Sequence, residues 1–274
     1  MIAYFDTQTF DRIYKKVGCT GTDIANLRKA IYGRQLSVRM SIHTLEEILL
    51  GRKASPQAFT AQIKLTLSLA NLRTLLKPSV QLVLDDIRGY AAEGESARPL
   101  LAGDTQNIVA DGIATLIESD GEELEEDFLA VLEGVRQERQ RFVAMLGHAH
   151  QIADGFLKSS PPCAALEQYM DTAALPVLET WAELAGVQAG CLKRGFDGLL
   201  RMKTLRVSLS AVFASSRAQE APGAADLTDV HHAVAAAAVA QTYVSDSAAN
   251  RDLLARLPVS GLDLTSLPEF LKRL

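Results

Sequence analysis

From Asp226 to Asp246 the sequence runs DLTDVHHAVAAAAVAQTYVSD, which taken alone reads as an Ala-rich core helix and a surface turn, and with the start of the chain as more. Small residues from Ala233 to Ala240 let a helix approach a sheet closely. Thr242 to Ser245 is a short β-prone segment, and Asp246 stands where it ends. An acid near a helix start and another closing the next strand fall on one edge of a parallel sheet. Open α/β folds hold ligands at that edge, because the loops there diverge and leave a crevice.

The start of the chain repeats the theme. Ile2 to Phe5 reads as a strand closed by Asp6 and Thr7. Helices are expected over Phe10–Val17 and Thr22–Tyr32, the second capped by Thr22 and ended by Gly33. Leu36, Val38, Met40 and Ile42 alternate with polar residues as in a strand, and Thr44 to Leu50 forms a short helix before Gly51. This βαβα order implies a parallel sheet with helices on its faces. A helix follows from Pro56 towards Leu76, while Val80 to Leu84 reads equally as strand or helix and Arg88 to Gly103 as loop. Residues 104 to 216 are almost wholly helical in pattern, including a long helix from Glu122 to Phe156 and shorter ones over 164–170, 175–184 and 187–214. The late segment then gives a helix from Asp226, the strand at 242–245, a helix from Ser247, a strand at 262–264 and a closing helix, 267–274.

A net charge of −5 excludes a protein coated with nucleic-acid contacts but permits a local basic face. Two candidates are Arg28, Lys29, Arg34 and Arg39 early, and Lys193, Arg194, Arg201, Lys203 and Arg206 later. No apolar run approaches the ~18–20 residues needed to span a bilayer. Three scattered cysteines without a C-x-x-C pair argue against a disulfide framework or a zinc site. Together with an N-terminus lacking a basic leader, they lead to the expectation of a cytoplasmic protein.

Four acids carry the chemistry: Asp6 after the first strand, Glu47 on the helix after the second, Asp229 early in the late helix and Asp246 after the late strand. Gathered on one edge without compensating cations they would raise one another's pKa values. Mg²⁺ or Mn²⁺ relieves that repulsion, and supports attack of activated water on a phosphodiester. IAYFDT, VRMSIHTLEEILLG and DLTDVHHAVAAAAVAQTYVSDS resemble the PIN domain of metal-dependent nucleases. The resemblance matches Asp6 with Thr7, Glu47 with Ile48 and Gly51, Asp229 at a small-residue helix, and Asp246 behind Ser245. It departs at Gln8, where the family often has Asn.

The fold class implied is α/β, a PIN-like parallel sheet flanked by helices with a mostly helical insertion. Residues 1–90 and 220–274 form the nuclease domain and 91–219 the insertion. The activity implied is a Mg²⁺/Mn²⁺-dependent endoribonuclease. Its expected partners are an RNA substrate and a protein such as the antitoxin of a toxin–antitoxin pair, with self-association left open. The alternative is a PIN-fold binding or regulatory module that acts through the insertion with little catalysis. At two positions the sequence offers competitors: Glu46 beside Glu47, and Asp226, a natural N-cap, beside Asp229. His231 and His232 stand beside the acids as packing residues or proton-transfer aids, and Asn250 as a shell residue or a solvated one.

Overall fold

The computed structural model describes residues 1–50, 56–92, 98–159, 166–188, 190, 192, 202–217, 224–247 and 262–274. Its centre is a four-stranded, all-parallel sheet of β1 (Ile2–Phe5), β2 (Ser37–Arg39), β3 (Thr242–Val244) and β4 (Asp263–Thr265), in the order β2-β1-β3-β4. Ala3 pairs with Val38 on one side and with Thr242 on the other. The strand order therefore reverses between β1 and β3.

The two-residue side-chain period of a strand divides the core between the sheet's faces. Tyr4 and Tyr243 point to one face, Ala3, Phe5 and Val244 to the other, and each face anchors its own apolar cluster. The Phe5 face carries α1 (Thr7–Lys15), α2 (Gly21–Tyr32), α3 (Ile42–Leu50), α4 (Pro56–Leu69) and α6 (Gly103–Glu118). It also takes the short closing helix, Leu267–Leu271. The Tyr4 face carries α5 (Ser79–Ala91), α8 (Leu166–Ala185), α9 (Lys203–Arg217) and α10 (Ala224–Val239). The long α7 (Glu126–Ser159) serves both clusters, Phe128 packing in one and Phe142 in the other. Residues 91–219, expected as an insertion, thus bury Trp181 and Phe213 in the same cluster as Tyr4 of the central strand.

Several local expectations change. β2 is shorter than the alternation from Leu36 to Ile42, because beyond Arg39 the chain leaves the strand and exchanges backbone bonds with Leu76, whose N–H donates to Met40 and whose carbonyl accepts from Ile42. Val80 to Leu84 is helical, and α5 runs to Ala91 through residues read as loop, with Gly89 on its buried side. The cap of α2 is Thr20, not Thr22, in a reciprocal capping box with Asp23. Helices expected over 164–170 and 175–184 are one helix that passes through Pro176. Asp226 is not an N-cap, since α10 begins at Ala224 and places it inside the helix. Gly51, Cys163, Cys191, Lys193, Arg194, Arg201, Asn250 and the helix expected from Ser247 onward lie mostly or wholly outside the described residues. Among the described residues no helix is long and apolar enough to cross a membrane.

Candidate functional site

Asp6 follows β1 directly and is almost fully buried. Its extended backbone lets the side chain turn back over the first turn of α1, where Oδ1 accepts from the Thr9 N–H and the Thr9 hydroxyl, both at 2.7 Å. It is therefore the N-cap of α1 as well as a strand-end acid. Among the described residues, Oδ2 receives a long contact, 3.4 Å, from the Tyr243 hydroxyl. The same Thr9 hydroxyl lies 2.9 Å from the carbonyl of Val244, so its one proton is shared between that oxygen and Asp6 Oδ1, and the ends of β1 and β3 are tied together through α1.

Glu47 reaches the same region from α3. The Thr7 hydroxyl donates to Oε2, and His232 Nε2 lies 3.2 Å from that oxygen. Burial works against its charge. The positive His232, the hydrogen bonds from His232 and Thr7, and the Arg139 guanidinium overcome that and hold Glu47 down at about 2. His232 is the other half of the same arrangement. Burial disfavours its protonated form, but Tyr4, Glu47 and Asp6 hold its pKa well above the ordinary histidine value. Its Nδ1 sits 2.8 Å from the Tyr4 hydroxyl, which continues to Ser41 Oγ at 2.9 Å and Thr44 Oγ1 at 3.2 Å. The His232 ring thus bridges Glu47 and Tyr4, in surroundings that favour its protonated form.

Asp229, half-buried on α10, belongs to the same neighbourhood. The pKa of Tyr243 is pushed well up by burial first, then by the negative charge of Asp6, and more weakly by that of Asp229. Asp246 lies beyond β3 on the same edge, and both its oxygens have other neighbours. Oδ1 accepts from the Leu267 N–H at 3.3 Å; Oδ2 lies 3.0 Å from Arg12 in an ion pair whose angle does not make a hydrogen bond. The structure therefore brings Asp6 and Glu47 to the Tyr4–Tyr243–His232 cluster, with Asp229 near enough to act on Tyr243 through its charge, while Asp246 pairs with α1 and the start of the closing helix. Glu46, the competitor of Glu47, is buried and turned towards Arg139 at 3.2 Å and His43 at 3.8 Å.

The donor chemistry fits a hard divalent cation: carboxylate oxygens, with Asp6 Oδ2 weakly engaged and Asp246 Oδ2 buried without a hydrogen bond. Among the described residues, no group of three or more His, Cys, Asp or Glu side chains stands ready to hold a metal ion. Positive charge is instead supplied by His232, Arg139 and Arg12.

Tyr4, Tyr243, Thr9 and Arg139 were not singled out from the sequence, and His232 was read there as a packing residue or a proton-transfer aid. A signal for the histidines existed. Adjacent residues on a helix that is apolar all round cannot both face water, so His231-His232 in an Ala/Val run implies a buried imidazole in need of a partner. No family model, curated protein or solved structure matches the chain.

Proposed function

We propose that the chain is a PIN-like, metal-dependent nuclease that hydrolyses phosphodiester bonds, acting as an endoribonuclease. The observation that carries this reading is Asp6, a buried carboxylate ending a central parallel strand at the point where the strand order reverses, which is where ligand crevices form in open α/β sheets. Asp6 and Glu47 would hold Mg²⁺ or Mn²⁺, with Asp229 and Asp246 flanking them. When bound, the ion would activate water and stabilise the leaving oxygen. The chain's own groups prepare the acids. Thr9 fixes Asp6, and Thr7 and His232 fix Glu47 in its ionised form.

A second reading, a binding or regulatory module with little catalysis, is favoured by one observation. Arg12 and the Leu267 N–H engage Asp246, and His232 and Arg139 flank Glu47, so these carboxylates are compensated by the protein itself. Cleavage of a mixed single-stranded RNA pool separates the two readings. Activity with Mn²⁺ that disappears in EDTA and in Asp6→Asn supports the nuclease; Asn retains the ability to cap α1, so the variant should fold. A folded wild-type protein that leaves the pool intact at high concentration, or cleaves it equally well in EDTA, overturns the nuclease reading.

A further inference from the structure

We infer that Arg139 of α7 receives the anionic backbone of the substrate, as a guanidinium anchored by Glu46 beside Glu47. The inference rests on the nuclease reading. Arg139 comes from the helical block, far in sequence from the acids. One fork nitrogen lies 3.2 Å from Glu46 Oε1 and the other 3.9 Å from Glu47 Oε1. The first is a close pair with a nearly inaccessible carboxylate. The second is longer than a hydrogen bond, so that nitrogen keeps donor capacity. The Arg139 side chain is 22% exposed against 5% for Glu46, so the cation is held from the inside and open on the outside. A partner needed only to neutralise Glu46 would require neither the open edge nor the approach to Glu47.

Arginine suits this role: it is always charged, and its planar fork matches two phosphate oxygens. The surface next to it has the shape of a track. A groove of about 250 Å³ is lined by Glu46, by Leu49, Leu50 and Leu132, and by Arg136, which is ion-paired with Glu133 of the same groove at 3.6 Å. Arg136 lies three residues before Arg139 on α7, hence on the same side of the helix. The leucine walls offer apolar surface to a base, and Arg139, held beside the groove by Glu46, offers a guanidinium to the backbone.

The test is binding of a fluorescent single-stranded RNA by anisotropy, in EDTA, over a series of KCl concentrations. Removing Arg139 alone would leave Glu46 buried and unpaired, so the variants are the double substitution E46Q/R139Q, with R139K as the conservative partner and E47Q as the comparison. Circular dichroism checks that each is folded. The expected result for E46Q/R139Q is roughly tenfold weaker binding. The slope of log affinity against log salt should fall by about 0.7, the value for one lost phosphate contact on a single strand. R139K should restore the slope, because it keeps the charge. If wild-type protein binds the RNA and E46Q/R139Q has the same affinity and slope, Arg139 has no such role and the nuclease reading survives. If folded wild-type protein binds no RNA at any salt, that reading falls and this inference with it.

Discussion

Glu47→Gln is the perturbation that probes the site most directly, because it removes one charge and almost no volume. The carboxyl is held at about 2 against an ordinary 4.5, which at about 1.4 kcal/mol per pH unit amounts to about 3 kcal/mol. The displacement of His232 is largely the same attraction seen from the other partner, so it is counted once. The pH window follows from both signs. A lowered carboxyl contributes fully above 4.5 and loses its contribution as pH falls through about 2. A raised histidine contributes fully below 6.5 and loses its contribution as pH rises through its folded value. Between about pH 5 and 6.5 both conditions hold, and urea unfolding there should show the variant about 3 kcal/mol less stable, with the gap narrowing at acid and at alkaline pH. Histidine NMR gives a second readout. In the wild type His232 should remain an imidazolium through neutral pH, whereas without the Glu47 charge burial should bring it to the neutral form. A stability gap that is flat from pH 3 to 9, or a His232 that titrates identically in both proteins, would refute the charge-pair argument.

The neighbouring histidine behaves in the opposite sense. The His231 ring packs, tilted, against His43 and Phe142 at centroid distances of 4.6 Å, neither of its nitrogens has a hydrogen-bond partner among the described residues, and burial pushes its pKa well down. The unfolded chain takes up a proton below 6.5 that the folded chain refuses, so wild-type stability should fall on acidification by up to about 1.4 kcal/mol per pH unit from this residue. His231→Phe should be less acid-sensitive than wild type when melting temperatures at pH 5 and pH 7 are compared; equal acid sensitivity would count against a neutral buried ring. Gly112 on α6 lies where an added Cβ would overlap the Phe128 ring. Gly112→Ala should therefore destabilise by about 1–3 kcal/mol in thermal unfolding, despite alanine's higher helix propensity.

What the sequence disclosed is what local pattern encodes. Asp6 and the three-residue β3 were legible because each is a β-prone run closed by an acid, and the capped ends of α2 and the closing helix were legible to within a turn. The ambiguity at Val80 to Leu84 has a physical origin. A five-residue run with almost no polar residue carries no periodicity, and it is packing against α7, α8, α9 and α10 that favours the helix. The partners of the acids were hidden for a different reason. Glu47 and His232 are separated by 185 positions, and Tyr4 and His232 by 228, so no spacing rule connects them. Arg139 was hidden by its surroundings, since RQERQR in α7 has the charge pattern of a solvated helix face. Only the crossing of α7 over α3 turns one of those arginines inward.

The position of β1 in the middle of the sheet has a consequence for how the chain is made. β1 is flanked by β2, which follows it closely in sequence, and by β3, whose Thr242 pairs with Ala3. At about 5–20 residues per second, the roughly 200 residues between β2 and β3 take on the order of 10–40 s to synthesise. During that interval a nascent β1–β2 pair exposes an unsatisfied strand edge next to Tyr4 and Phe5, the kind of edge that recruits other chains. The gap between the first strand and its second neighbour makes the yield of folded protein a matter of timing as well as of stability. Slower growth temperatures or an added holdase should therefore raise soluble expression more than stabilising substitutions in the finished core.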